Sequence, residues 1–186
     1  MTIKKAMILG AGFGKRMLPL TTKIPKPLIK IGPKNLLERT IELLIKIGID
    51  EIIINTHHLS KEIDNFLRNK NYQITISAIK EEVLLDTGGG ILNATKNFKD
   101  EPFFVLNPDT IWNKNYYQEL KILENSYLKS NKPILLLVDK MNSYDKSFKG
   151  DFNFAKNNYI TKEASNQYIF TGAQIINRSI FETISE

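Results

Sequence analysis

Short apolar runs alternate along the chain with longer segments whose apolar positions have helical spacing. A short apolar run bounded by glycine or another turn residue is typical of a buried strand. Apolar positions three and four residues apart are typical of a helix packed on one face. The predicted buried strands occupy residues 6–9, 51–55, 103–106 and 134–138.

The segments between these strands predict helices. Residues 35–48 have helical spacing, with Asn35 suited to cap the start and Gly48 suited to end the helix. Ser60 is suited to cap the next helix. The remaining helices are predicted at residues 60–69, at 90–97 after three glycines, at 114–129 and from about Ser179.

Two segments have other patterns. Residues 73–79 alternate between apolar and polar, which predicts an exposed or edge strand, and Tyr168–Ile176 predicts a late strand. Strands alternate with helices over the first 140 residues, which predicts an α/β fold of the Rossmann-like, three-layer α/β/α type with a mainly parallel sheet. Ligands of such sheets bind beyond the carboxyl ends of the strands, so functional residues are expected directly after strands.

Composition narrows the class of protein. Hydrophobic residues make up 42% and charged residues 25%, which is ordinary for a globular domain. No apolar run approaches the roughly 20 residues that span a bilayer, so we expect no membrane partner. The chain has no cysteine, and its first apolar stretch is too short for a signal peptide. We therefore expect a cytoplasmic protein.

The charge is basic but dispersed. The formal net charge is +6, from 26 Lys and Arg against 20 Asp and Glu. Nucleic-acid-binding surfaces usually cluster Lys and Arg, whereas the lysines here are spread over the whole chain. We therefore expect no nucleic-acid partner. The arginines are Arg16, Arg39, Arg68 and Arg178.

A glycine-rich loop follows the first predicted strand. Such a loop lets backbone N–H groups approach a phosphate. The dinucleotide pattern G-x-G-x-x-G fails because its third glycine would come one residue later, and because Pro19 interrupts the helix that should follow. The phosphate loop G-x-x-x-x-G-K-[ST] fails because three residues, not four, separate Gly10 from Gly14, and because Arg16 follows Lys15.

A third pattern fits. Residues 10–28 read GAGFGKRMLPLTTKIPKPL, which matches G-x-G-x-[GS]-x-R-[ML] followed by P-L-[ST] and P-K-P-[LM]. This combination resembles the signature of the sugar-1-phosphate nucleotidylyltransferases, and the resemblance extends from about residue 4 to 183. It implies a nucleotidyltransferase fold in a single domain over residues 1–186. Two prolines around Lys26 also fix the backbone and aim its side chain.

The resemblance implies roles for this loop. The backbone amides of residues 10–14 and Arg16 would hold the β and γ phosphates of a nucleoside triphosphate. Lys26 would bridge the α-phosphate and the attacking sugar phosphate. The residues implied in nucleotide binding by this loop are Gly10, Ala11, Gly12, Gly14 and Lys15.

A second glycine cluster reads D-T-G-G-G-I over residues 86–91. Three consecutive glycines are entropically unfavourable, so a ligand or another backbone is expected close by. The stretch resembles the N-acetylmuramate-1-phosphate uridylyltransferase branch of the family, in which Glu is usual where this chain has Asp86. The resemblance implies that Thr87, Gly88 and Gly89 contact base and ribose, and that Asp86 contacts the sugar.

Asn107-Pro108-Asp109 follows the predicted strand 103–106. A carboxylate at the end of a parallel strand is a candidate Mg²⁺ ligand, because nucleotide-bound Mg²⁺ takes one or two carboxylates plus phosphate oxygens. The family pattern is N-G-D, so Asp109 matches and Pro108 departs. Asp109 is therefore predicted to bind Mg²⁺ and to be catalytic; a turn residue or helix cap is the alternative.

The remaining candidates would contact the sugar. Asp139 ends a predicted strand, Gly150 lies in a predicted sugar-side hairpin, and the family presents a pair like Thr171-Gly172 to the sugar. Turn or sheet chemistry explains each equally well. The family also has a later Asp, near Trp and Gly-Thr, as second metal carboxylate. Nothing after Ile176 matches it, so we expect the domain to lack its C-terminal part.

The sequence therefore predicts Mg²⁺-dependent transfer of a nucleoside monophosphate from a triphosphate, with UTP favoured, to a sugar-1-phosphate, with N-acetylmuramate-1-phosphate favoured. A hexose- or heptose-1-phosphate guanylyl- or thymidylyltransferase is the alternative enzyme. A non-catalytic nucleotide- or sugar-sensing module and a basic nucleic-acid-binding protein are the alternatives of other classes. Nothing in the sequence indicates an oligomeric state.

Overall fold

A computed structural model describes residues 2–155 and 159–184. The four α-helices are α1 (Leu36–Ile47), α2 (Ser60–Arg68), α3 (Asp86–Ala94) and α4 (Tyr117–Ser130). The strands are β1 (Lys5–Leu9), β2 (Lys30–Ile31), β3 (Lys34–Asn35), β4 (Glu51–Thr56), β5 (Thr75–Lys80), β6 (Phe103–Leu106), β7 (Ile134–Asp139), β8 (Asn153–Phe154), β9 (Ile160–Thr161) and β10 (Tyr168–Ile176).

A six-stranded sheet with the order β5-β4-β1-β6-β10-β7 forms the middle layer. Neighbouring strands from β5 to β6 run parallel, while β10 runs antiparallel to both β6 and β7. The predicted mainly parallel sheet is therefore confirmed. The predicted edge strand is also confirmed, since β5 lies at one end of the sheet.

Alternation along the strands builds an apolar core on each face of the sheet. Ala6 and Ile8 of β1 pack with α1, α2 and α4 on one face. Met7 points the other way and packs with Ile91 of α3 and with Phe98. Successive strand side chains point to opposite faces, so an apolar strand such as β1 contributes to both cores, and the three-layer prediction is confirmed.

The capping residues predicted from the sequence are confirmed for α1 but not for α2. The Asn35 side chain accepts a hydrogen bond from the Glu38 amide (2.7 Å), and Gly48 ends α1 in the left-handed region. The predicted Ser60 cap is wrong, because Leu59 at φ 54° turns the chain into α2, so that Ser60 is already helical. The last predicted helix is a 3-10 helix over Arg178–Ile184. Within the two described ranges, no helix is both long enough and apolar enough to cross a bilayer.

The partly buried side chain of Tyr72 gives a stability prediction. Burial, together with nearby Glu38 and Glu42, raises the pKa of Tyr72 above its ordinary value of 10.0. Its hydroxyl is buried without a hydrogen-bond partner among the described residues. Removing an unpaired buried hydroxyl relieves a desolvation penalty of about 1–3 kcal/mol. We therefore expect Tyr72→Phe to unfold in urea at pH 8 with an unchanged or higher free energy.

The same shift predicts a pH dependence. A pKa that is raised on folding contributes stability that is complete below pH 10 and is lost as the pH rises through the folded-state pKa. Above pH 10 the unfolding free energy of Tyr72→Phe should fall less steeply than that of the unchanged chain. Tyr144→Phe is the control, since Tyr144 is fully exposed. Equal slopes in all three proteins would contradict this prediction.

Candidate active site

A cleft of about 250 Å³ lies at the carboxyl ends of β1, β4 and β6. This volume is below the roughly 300–1,000 Å³ of typical small-molecule pockets, so the cleft can enclose only part of a larger ligand. The cleft brings together residues predicted from three separate motifs. The predicted site residues that line it are Gly10, Ala11, Gly12, Lys26, Asp86, Thr87 and Asp109.

The glycine-rich loop curves from the end of β1 back toward Lys26. Gly14 is left-handed at φ 64°, and a Cβ there would lie 2.7 Å from Thr21 Cγ2 and 3.2 Å from Lys26 Cβ. The Thr21 hydroxyl donates to the Gly14 carbonyl (3.0 Å). Only glycine combines this backbone conformation with so close an approach, so Gly14 joins the loop to the segment that carries Lys26.

One predicted phosphate donor is already occupied. The Gly10 amide donates to Asn55 Oδ1 (2.9 Å), and Gly10 is buried. Gly10 therefore contributes a close backbone approach to the cleft and not a free N–H group. Among the described residues, the amides of Ala11 to Gly14 donate no hydrogen bond, so the loop keeps free N–H groups after Gly10.

The Lys26 side chain lies at the cleft and pairs with a carboxylate. Pro25 precedes a 3-10 helix over Lys26–Leu28, and Pro27 is the buried residue of this helix. The Lys26 ammonium forms an ion pair with the Asp109 carboxylate, with side-chain exposures of 22% and 36%. The site thus holds a cation and an anion together at the mouth of the cleft.

Neighbouring residues of the Asp109 loop are fixed by three hydrogen bonds. The Asn107 amide donates to the Gly172 carbonyl (2.8 Å), and the Trp112 indole donates to the Asn107 carbonyl (2.8 Å). The Thr110 hydroxyl donates to the Thr171 carbonyl (2.7 Å). Trp112 is fully buried and packs in the core. A loop anchored on both sides keeps the Asp109 carboxylate at the end of β6.

The three glycines of the second cluster lie inside α3. The helix predicted at residues 90–97 is wrong in its start, because α3 begins at Asp86 and ends at Ala94. The reason is a tertiary contact. A Cβ on Gly90 would lie 2.7 Å from Asn55 Nδ2 and 2.8 Å from Glu81 Oε1. The close neighbours expected from the triplet are therefore side chains of β4 and of the segment after β5.

This contact predicts opposite effects at two glycines of the same helix. Gly90→Ala should destabilise the fold by about 1–3 kcal/mol, because the added methyl displaces buried polar atoms. Gly88→Ala meets no atom within 4 Å and should raise stability by up to about 1 kcal/mol, because alanine favours the helix. Urea unfolding measures both. A similar loss of stability in the two variants would contradict the proposed packing of α3.

Several predicted residues do not line the cleft. Lys15 and Arg16 are exposed in a 3-10 helix over Lys15–Met17. Asp139 is bound by its own surroundings, since its carboxylate accepts from the Met141 amide (2.8 Å) and from Gln167 Nε2 (2.6 Å). The predicted site residues outside the lining are Gly14, Lys15, Arg16, Gly88, Gly89, Asp139, Gly150, Thr171 and Gly172.

Gly150 and Gly172 have left-handed backbones with specific neighbours. A Cβ on Gly150 would lie 2.4 Å from the Asn166 carbonyl oxygen, and one on Gly172 would lie 2.9 Å from Asn107 Cβ. Thr171 donates its hydroxyl to the Leu136 carbonyl (2.9 Å). The pairing of β10 with β7 changes register between Phe170 and Gln174, which places Thr171 and Gly172 against the Asn107 loop.

The residues present fit a magnesium ion only in part. Asp109 supplies a carboxylate at the end of β6, and Asp86 lines the same cleft. No group of three or more His, Cys, Asp or Glu side chains within residues 2–155 and 159–184 is arranged to hold a metal by itself. This donor set suits an ion that takes one carboxylate from the protein and its other ligands from phosphate and water.

Sequence reasoning missed two buried polar residues at the cleft, Asn55 in its lining and Glu81 bonded to Asn55. Asn55 ends the apolar run of β4 and is 3% exposed; Glu81 directly follows β5 and is 2% exposed. Both residues show the kind of signal that located Asp109, which is a polar residue at or directly after the end of a strand. It was overlooked because neither residue belongs to a glycine or proline motif.

The sheet order, the anchored Asp109 loop and the cleft that joins it to the glycine-rich loop define an α/β domain of the nucleotidyltransferase type. Comparison with known proteins identifies the family of the chain. A family model described as "Nucleotidyl transferase" matches residues 5–143, and the chain belongs to this family.

Individual relatives divide between two substrate classes. The N-acetylmuramate alpha-1-phosphate uridylyltransferase of Caulobacter vibrioides is 34% identical over 114 residues, which cover 59% of this chain and 47% of that protein. The mannose-1-phosphate guanylyltransferase catalytic subunit beta of Dictyostelium discoideum is 39% identical over 110 residues, or 58% of this chain and 31% of that protein. The chain thus matches less than half the length of either.

Solved structures share the fold over nearly the whole chain. A UDP-glucose pyrophosphorylase complexed with UDP-glucose superposes with a TM-score of 0.82 at 21% identity, covering 99% of this chain and 80% of that one. HddC from Yersinia pseudotuberculosis has a TM-score of 0.77 at 26% identity, covering 99% and 81%. The predicted fold class is therefore confirmed.

Proposed function

We propose that this chain transfers a nucleoside monophosphate from a nucleoside triphosphate to a sugar-1-phosphate and releases pyrophosphate. The observation that carries the proposal is the Lys26–Asp109 ion pair at the mouth of a cleft lined by Gly10–Gly12. Phosphoryl-type transfer needs positioned charges and little covalent chemistry from the protein. One framed lysine, one carboxylate and a glycine-rich loop are the groups that such a reaction uses.

The proposed step is an in-line displacement at the α-phosphorus. An oxygen of the sugar phosphate forms a bond to this phosphorus, while the bond to the oxygen that bridges to the β-phosphate breaks. Pyrophosphate leaves with that electron pair. Lys26 would turn from Asp109 to the α-phosphate and the attacking phosphate, and would neutralise the charge that accumulates between them. The free amides of Ala11–Gly14, together with Lys15 and Arg16, would hold the β and γ phosphates.

Asp109 would hold a magnesium ion, which supplies charge neutralisation for the triphosphate when bound. Thr87 and the start of α3 would contact the ribose and base. Asp86, Thr171 and Gly172 would contact the sugar. Gly172 lies against Asn107, which itself lines the cleft.

UTP and N-acetylmuramate-1-phosphate are the substrates that we propose. The D-T-G-G-G-I stretch and the 34% identity to the Caulobacter uridylyltransferase support this choice. GTP with mannose-1-phosphate is the second candidate, supported by 39% identity to the Dictyostelium guanylyltransferase subunit. The two candidates share the same phosphate chemistry and differ in base and sugar.

Thermal unfolding with Mg²⁺ and each of UTP, GTP, dTTP, CTP and ATP tests the proposal directly. A ligand that binds only the folded chain adds about 2.7 kcal/mol of stability at 100 times its Kd. Stabilisation by UTP alone supports the uridylyl assignment, and stabilisation by GTP alone supports the guanylyl candidate. No stabilisation by any nucleotide argues against the proposed site.

Pyrophosphate release then separates an enzyme from a binding module. The nucleotide that stabilises the chain is incubated with N-acetylmuramate-1-phosphate and, separately, with mannose-1-phosphate. Release that requires the sugar phosphate supports transfer. Nucleotide binding without pyrophosphate release with either sugar phosphate supports a sensing module.

A further inference from the structure

Three hydrogen bonds, two of them buried and one partly buried, connect two walls of the cleft, the glycine-rich loop and the start of α3. The Gly10 amide donates to Asn55 Oδ1 (2.9 Å), and Asn55 Nδ2 donates to Glu81 Oε1 (2.7 Å). The second Glu81 oxygen, Oε2, accepts from the Leu85 amide (3.1 Å). The chain of bonds therefore runs from the glycine-rich loop through the end of β4 to the residue directly before α3.

Both side chains are almost fully enclosed, with Asn55 3% and Glu81 2% exposed. A buried carboxylate is strongly destabilising unless hydrogen bonds satisfy it. Here one oxygen is used by Asn55 and the other by Leu85. Glu81 is also held by its backbone, since its amide donates to the Thr56 carbonyl (2.7 Å).

Helix α3 packs directly on this pair. A Cβ on Gly90 would lie within 3 Å of both Asn55 Nδ2 and Glu81 Oε1, so glycine lets the helix approach the two side chains. The first residues of α3, Asp86 and Thr87, line the cleft opposite Gly10. The pair thus sets the distance between the loop proposed to hold phosphates and the helix proposed to hold base and ribose.

We propose that Asn55 and Glu81 are positioning residues for nucleotide binding. Their role is to hold the glycine-rich loop and the start of α3 together, and Asn55, which also lines the cleft, acts through its bonds to Gly10 and Glu81. The inference rests on the proposed function, because its effect is on nucleotide affinity. A nucleotide must reach both walls at once, so a change in their separation weakens contacts at one end or the other.

The direction of each hydrogen bond supplies a specific test. In Glu81→Gln the new amide places an NH₂ group against either Asn55 Nδ2 or the Leu85 amide, so two donors face each other. In Asn55→Asp two carboxylate oxygens face each other. The double variant Asn55→Asp/Glu81→Gln restores all three bonds with the middle one reversed, and it keeps a single negative charge.

The experiment is a double-mutant cycle on the complete chain. The Kd for the nucleotide that stabilises the unchanged chain is measured with Mg²⁺, at a temperature where every variant is folded by circular dichroism. Each single variant should raise the Kd about tenfold or more, because each leaves a buried group unpaired. The double variant should return to within about threefold of the unchanged chain. Glu82→Gln is the matched control, since Glu82 is exposed and pairs with Lys80.

Single variants with the Kd of the unchanged chain would overturn the inference. So would a double variant as weak as the two single effects combined, because the bond directions would then be irrelevant. If Glu81→Gln does not fold, Asn55→Ser takes its place, since it removes the contact to Glu81 without opposing two donors. Asn55→Ser should also raise the Kd about tenfold.

A second readout needs no nucleotide. Hydrogen exchange at the Gly10 and Leu85 amides should be slow in the unchanged chain, faster in each single variant and slow again in the double variant. If the unchanged chain binds no nucleotide, the proposed function fails, and with it the role in binding. The exchange pattern then still reports whether the pair holds the two walls. Unaltered exchange in the single variants would overturn that part as well.

Discussion

Lys26→Ala is expected to lower the turnover of the nucleotidyl transfer by at least about 10²–10³-fold, because one group that stabilises transition-state charge is removed. The structure explains why the loss should be chemical. Lys26 lines the cleft and is framed by Pro25 and buried Pro27. Its ion pair with Asp109 is partly exposed, and such pairs contribute about 0–1 kcal/mol to stability. Pyrophosphate release with saturating substrates measures the effect, and the thermal midpoint should change little.

The matched control is Lys61→Ala. Lys61 is exposed on α2, so this variant removes the same side chain at a position that does not line the cleft. Near-normal turnover in Lys26→Ala would overturn the proposed mechanism. A comparable loss in both variants would show that the effect comes from overall charge and not from the position of Lys26.

Asp109→Asn is expected to lower turnover by about 10²-fold or more, since a bound metal ion contributes several kcal/mol of charge stabilisation to such a step. The substitution keeps the shape of the side chain, and the hydrogen bonds from Asn107, Thr110 and Trp112 remain to hold the loop. The distinguishing measurement is the dependence on magnesium. The concentration for half-maximal nucleotide stabilisation should rise by about tenfold or more if Asp109 supplies the protein carboxylate.

Asp64→Asn on α2 is the control for the loss of one negative charge. It should leave both turnover and the magnesium dependence unchanged. An Asp109→Asn variant with the magnesium dependence of the unchanged chain would contradict the assignment of Asp109 as a ligand. That result would leave Lys26, the ion-pair partner of Asp109, as the principal charged group of the site.

The main strands were predictable because each is a nearly continuous apolar run. Buried parallel strands face a helix layer on both sides, so β1, β4 and β6 are short apolar runs, and their length and flanking turn residues distinguish them from helices. Local chemistry was also sufficient at α1, where Asn35 and Gly48 act at the ends as expected. Lys26 and Asp109 were each predicted from a motif, whereas their ion pair was not, because it joins residues 83 positions apart.

Features that depend on distant residues were not predictable in this way. The start of α3 was misplaced because three glycines are unfavourable in a helix, and nothing local reveals that Asn55 and Glu81 pack against Gly90. The occupation of the Gly10 amide by Asn55, 45 residues away, is equally invisible in the motif. Motifs identify which residues gather at the sheet edge, whereas long-range hydrogen bonds decide which of their groups remain free.

The place of β10 in the sheet has a consequence for folding during synthesis. This late strand lies between β6 and β7, so that β7 is joined to the rest of the sheet only through residues 168–176. Before that segment is available, β1, β4, β5 and β6 can pair with one another. The apolar residues of β7 then have no neighbouring strand, because β10 is still missing. Chains arrested there present an unpaired apolar strand, the kind of segment that chaperones shield from aggregation.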